Sequence, residues 1–186
     1  MHSRLIVLVD RNGNESSLDA RKRVEAKLIE EGFAGEGNLF VCHPADWFVI
    51  GGRCSGELTQ TRLAQDKLKA FWEEFEKQEL GWVGKDKPED EQKKKAIELF
   101  TQFFPEFKGE PPAWRDSYAY LGFEDDAQIL DEPLLNFIKE LKSYPDKATL
   151  DDLLDGNCFV DLDDPYEELT EDAIGKKWCV VVDFHY

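Results

Sequence analysis

Asp183 and His185 stand two residues apart in the closing segment Trp178 to Tyr186, WCVVVDFHY. Residues two apart on a strand share a face, so this carboxylate and imidazole would lie side by side, with Phe184 and Tyr186 on the other face. A carboxylate beside an imidazole fixes its tautomer and raises its proton affinity, and the same pair can bind a divalent metal. His43 and Asp46 form the comparable set earlier in the chain. If the closing strand pairs beside the stretch from His43 to Arg53, two His, two Asp and one Arg converge, enough for acid–base or metal-assisted hydrolysis. His185 and Asp183 are therefore the candidate catalytic residues. His43, His185 and Asp183 are the candidate ligands should a divalent metal bind, with the absence of any cofactor the favoured reading.

The second distinctive stretch is Asp46 to Gly56, DWFVIGGRCSG. Strand alternation puts Trp47 and Val49 on one face and Asp46, Phe48 and Ile50 on the other, ahead of a Gly51-Gly52 corner. Two glycines permit positive φ or close approach of backbone, and they leave Arg53 at the mouth of the corner, where its planar fork can hold a carboxylate or phosphate. Backbone N–H groups of such a corner can also face an anion. Arg53, Gly51, Gly52, Asp46 and Trp47 are the candidate ligand-binding residues. The bland alternative is a tight turn with Arg53 paired to one of the chain's own carboxylates.

Known nucleophile and phosphate motifs are absent. GGRCSG satisfies neither G-x-x-x-x-G-K-[ST] nor G-x-G-x-x-G, and Ser55 lacks the flanking glycines of a hydrolase elbow. Cys42, Cys54, Cys158 and Cys179 include no C-x-x-C pair, and Cys158 and Cys179 lie in apolar, strand-like sequence, so buried thiols are expected rather than a zinc site.

At these two stretches the chain resembles an uncharacterised group of bacterial and phage proteins, marked by a W-D-W-[YF]-x-I-G-G-R-W-x-G segment and a closing V-V-D-[YC]-H strand. Asp46, Trp47, Phe48, Ile50, Gly51, Gly52, Arg53 and Gly56 match the first pattern, with Ala45 and Cys54 in place of its outer tryptophans. Val181, Val182, Asp183 and His185 match the second. The resemblance implies a shared fold and a shared site, and names no substrate.

The elements that must position these residues follow from periodicity. Leu5 to Val9 and Trp178 to Phe184 are continuous apolar runs, each ending in VD or preceding it, and read as two central strands lying side by side. Ser16 or Ser17 caps a helix carrying Ala20, Val24 and Leu28, which stops near Gly32. A long helix from about Thr59 to Glu79, with Leu68, Phe71, Trp72 and Phe75 on one stripe, and another from Glu89 to Phe104 make a helical hairpin. Tyr118 to Phe123 and Ala127 to Leu130 suggest a strand hairpin. A helix enters near Asp131, capping residues at Thr149 and Asp152 suggest another that closes at Gly156, and Asp164-Pro165 a further short one. The fold class expected is α+β: a mainly antiparallel sheet, helices packed on one face, and a helical insertion about 59–104 within a single domain spanning 1–186.

Composition limits the function classes. A net charge of −17, from 23 Lys and Arg against 40 Asp and Glu, repels phosphate backbones and argues against general nucleic-acid binding. No run of about 18 apolar residues exists to span a bilayer, and MHSRLIVLVD reads as a buried strand rather than a signal peptide, so a cytoplasmic location is expected. Two readings remain: a small-ligand-binding or enzymatic domain for an anionic small molecule, or an acidic interaction protein with a basic protein partner.

Overall fold

The computed structural model describes residues 2–31, 47–81, 83–84, 86–109, 112–114, 121–122, 125–143, 158–165 and 167–185. They fall into two compact units, one of residues 1–58 and 125–186 and the other of residues 59–124.

The first unit is built on the two apolar strands. β1 (His2–Asp10) and β8 (Lys177–His185) pair antiparallel over their full nine residues, from His2 opposite His185 to Asp10 opposite Lys177. The remaining strands assemble around that pair: β2 (Trp47–Ile50) and β5 (Ala127–Ile129) run antiparallel to β8, while β7 (Cys158–Asp161) runs parallel to β1 and β6 (Lys142–Ser143) parallel to β7. The order is β2-β8-β1-β7-β6. The class is α+β as expected, and the sheet pairs mainly antiparallel, though it is mixed rather than purely so. Its parallel part comes from β7 and β6, strands too short to announce a direction.

Helices also cover both faces instead of one. Leu5, Val7 and Val9 pack with Val180, Val182 and Phe184 against Ala20, Val24 and Leu28 of α1 (Ser17–Glu30). The alternate residues Ile6, Leu8, Cys179 and Val181 meet Leu134, Leu135 and Ile138 of α5 (Glu132–Lys139). A strand buried on both faces needs cover on both, and the unbroken apolar runs of β1 and β8 demand it. Ser16 caps α1 in a reciprocal box with Asp19, and Asp131 caps α5 through the Leu134 N–H.

The second unit holds α3 (Gln65–Lys77) and α4 (Asp90–Phe103), joined by an aromatic core in which Phe71 meets Phe100 edge to face at 5.7 Å. The single helix expected from Thr59 is interrupted. A short α2 (Glu57–Gln60) ends in tight i to i−3 bonds from Arg62 and Leu63, and the Gln65 side chain caps the Gln60 and Leu63 carbonyls. β3 (Ala113–Trp114) and β4 (Leu121–Gly122) pair with each other. Leu121 and Gly122 therefore do not form a hairpin with Ala127 to Ile129, which join β8 instead.

Asp164-Pro165 starts no helix. The Asp161 carboxylate accepts from the Asp163 and Asp164 N–H groups, a local turn that competes with a helical start, and the next helical turn is the single 3-10 turn Glu171–Ala173. The helix expected after Thr149 lies outside the described residues.

Candidate functional site

The two distinctive stretches meet. β2 lies beside β8 with Val49 opposite Asp183 and Trp47 opposite His185. Phe48, Ile50 and Phe184 point to the α1 face, so Asp183 and His185 occupy the α5 face, as strand alternation requires. The third histidine completes the group. His2, across the ladder from His185, donates from Nδ1 to Asp183 Oδ1 at 2.9 Å, and its ring meets that of His185 edge-on with centroids 5.0 Å apart. Sequence reasoning passed over His2 because it precedes the apolar run. Extending the β1–β8 register by three residues from Leu5–Val182 would have found it.

Asp183 is the hub, with only 1% of its surface exposed. Its other oxygen, Oδ2, accepts the backbone N–H of Arg53 at 2.9 Å. Both carboxyl oxygens are therefore engaged, one by an imidazole and the other by a backbone N–H. The donor comes from the corner itself: Gly51 (φ 76) and Gly52 (φ 53) turn the chain out of β2 into the 3-10 turn Gly52–Cys54. The Gly51 N–H meanwhile donates to the Val181 carbonyl at 2.8 Å. Two N–H groups of the corner are thus engaged within the protein, that of Arg53 by Asp183 and that of Gly51 by the Val181 carbonyl. The Arg53 side chain is exposed.

A second buried carboxylate backs the same corner. Asp126, 1% exposed, has Arg21 of α1 3.7 Å from its Oδ2 and sits against Gly51. In the sequence it follows Glu124 and Asp125, and nothing local distinguishes it from them. Arg4, directly opposite Asp183 in the ladder, is held by Glu57 and lies 5.3 Å above the Phe137 ring. His43 and Asp46 lie outside the described residues, as does the Trp47 side chain. Among the described residues no three His, Cys, Asp or Glu side chains stand together as a metal site.

Cys54 adjoins this cluster. Burial, and after it the charge of nearby Asp183, push its thiol up to about 12, so the thiolate that nucleophilic chemistry needs is disfavoured. Native protein treated with iodoacetamide at pH 8 should show no modification of Cys54 by peptide mapping, and unfolded protein should show full modification. Rapid native labelling would mean an activated thiol.

A second polar cluster closes the opposite end of the β1–β8 pair, about 25 Å away along the strands. Lys177, 8% exposed, donates to Asp10 at 2.8 Å and Asp164 at 2.6 Å and lies 2.8 Å from Asp161 Oδ2. Burial opposes its charge, but the three carboxylates outweigh burial and hold the ammonium above the ordinary lysine range. An open cleft of about 220 Å³ lies over this cluster.

No protein-family model, curated protein or solved structure matches the chain. Among the described residues no helix is long and apolar enough to cross a membrane.

Proposed function

We propose that the protein is a small-ligand-binding or enzymatic domain performing acid–base chemistry at the α5-face end of β1, β8 and β2. The observation that carries this reading is the 2.9 Å hydrogen bond from His2 Nδ1 to the buried Asp183. With Nδ1 as the donor, Nε2 is the basic nitrogen of the neutral ring, and Asp183 stabilises the imidazolium formed when Nε2 takes a proton. Asp183 in turn is fixed by the Arg53 N–H, so the dyad is oriented from two chain segments. His185 supplies a second imidazole, packed edge-on beside the first.

Nitrogen-detected NMR of the imidazoles provides the test. In wild-type protein neutral His2 should be the Nδ1–H tautomer, and Asp183→Asn should abolish that preference. A thermal-shift screen of small carboxylates and phosphate monoesters should yield a ligand whose stabilisation is lost in His2→Gln. An Nε2–H tautomer for His2, or equal ligand responses in wild type and His2→Gln, would sink the reading.

The competing reading, a protein that grips a basic partner through acidic surface, draws on the cleft over Lys177, whose lining includes Glu167, Glu168 and Asp172. Its three inner carboxylates already hold a cation of the chain's own.

A further inference from the structure

We propose that Arg4 is the anion-recognising residue of this site and that Glu57 occupies its guanidinium until an anionic ligand displaces it. The inference rests on the acid–base reading above and names its ligand class, a small molecule bearing a carboxylate or phosphate.

The register gives the first part of the case. Arg4 and His2 are two apart on β1, roughly 6.5 Å along the strand, and share the α5 face with Asp183 and His185. An anion on the Arg4 fork therefore brings the atoms attached to it beside the His2 imidazole. Arg53, whose side chain is exposed, contributes its backbone N–H to Asp183 instead.

The environment of Arg4 supplies the second part. Its side chain is 15% exposed and lies over Phe137, so its charge is poorly screened and its hydrogen bonds to an anion are stronger than those of a surface arginine. Burial lowers its proton affinity from the ordinary arginine value, but a guanidinium remains charged throughout the working pH range. A planar fork of five N–H donors suits a bidentate oxyanion, and the ion pair to Glu57 runs through one terminal nitrogen, NH1.

Glu57 is the third part. It is the first residue of a four-residue helix, follows Gly56 at φ 82, and is 27% exposed. Its carboxylate presents to Arg4 the same chemistry that a ligand carboxylate or phosphate would, and it has solvent to move into. Exchanging it for a ligand anion keeps the guanidinium paired in both states, which avoids stranding a desolvated cation.

The experiment titrates inorganic phosphate into the full chain at pH 7, following the Arg4 side-chain N–H and His2 ring resonances by NMR. Phosphate should perturb both in wild type. Glu57→Gln, which keeps shape and removes the competing charge, should tighten binding about tenfold, and Arg4→Lys should weaken it about tenfold. Arg11→Ala, at the far end of β1, should bind as wild type does. Unchanged affinity in Glu57→Gln, absence of binding in both wild type and Glu57→Gln, or loss of binding in Arg53→Ala but not in Arg4→Lys overturns the proposal. Binding that perturbs Arg4 and leaves His2 unmoved would support the anion site while overturning the acid–base reading.

Discussion

Lys177→Met is expected to lower the unfolding free energy by about 3–5 kcal/mol, the usual cost of removing one partner from a buried ion pair. Lys177 is 8% exposed and has Asp10, Asp161 and Asp164 within 2.8 Å of its ammonium. Without it, Asp161, 9% exposed, is left beside the like charges of Asp10 and Asp164. Methionine matches the length of the stem, so lost packing contributes little. Urea unfolding of the two proteins reads the difference directly, and a loss below about 1 kcal/mol would show that the cluster is screened like a surface pair. Adding Asp161→Asn should recover part of the loss, because the stranded charge leaves with its oxygen.

The same cluster sets an alkaline limit. Because the folded ammonium titrates above the unfolded one, its stabilisation is complete below the ordinary lysine value of about 10.4 and declines as pH rises through the folded value. Wild-type stability should lose this contribution only above about pH 10.5. Lys177→Met should lack that component of the alkaline decline.

Alanine at either glycine of the corner is the second large effect. A Cβ on Gly52 would lie 2.5 Å from Asp183 Oδ2 and 2.6 Å from a Val49 methyl, and one on Gly51 would lie 2.4 Å from both Asp126 Oδ2 and Ser55 Oγ. Each glycine also has positive φ, which costs an L-residue roughly 1–2 kcal/mol before any clash, and overpacking adds about 1–3 kcal/mol. Either substitution should therefore cost about 2–5 kcal/mol. The two differ in what else they disturb. Gly52→Ala pushes on the carboxylate that orients His2, so it should weaken the His2 tautomer preference at temperatures where the protein is still folded. Gly51→Ala pushes on Asp126 and should leave that preference closer to wild type. Equal stability of Gly52→Ala and wild type would mean that the corner is looser than its contacts require.

Much of this arrangement is written in local pattern. The five-residue run Leu5 to Val9 and the run Trp178 to Phe184 announced central strands because both of their faces are apolar, and they do lie side by side. Ser16, Asp131 and Glu89 mark helix starts at the positions their side chains would suggest. What local pattern could not carry was long-range partnership. Nothing in Cys158 to Asp161 says that it will run parallel to β1, and nothing in Lys177 says that it will meet Asp161, because a lysine among many acids reads as ordinary surface. Asp126 was hidden for the same reason. The Gly-Gly corner was visible as a chemical oddity, but not the groups that approach it, the protein's own carboxylates Asp183 and Asp126.

The pairing of His2 with His185 also brings the two ends of the sheet's central strands together. Any chain that continues before His2 or beyond His185 leaves the sheet beside the imidazoles. A polyhistidine tag at that place would add metal-binding rings to the site itself, and metal titrations belong on protein from which it has been cleaved.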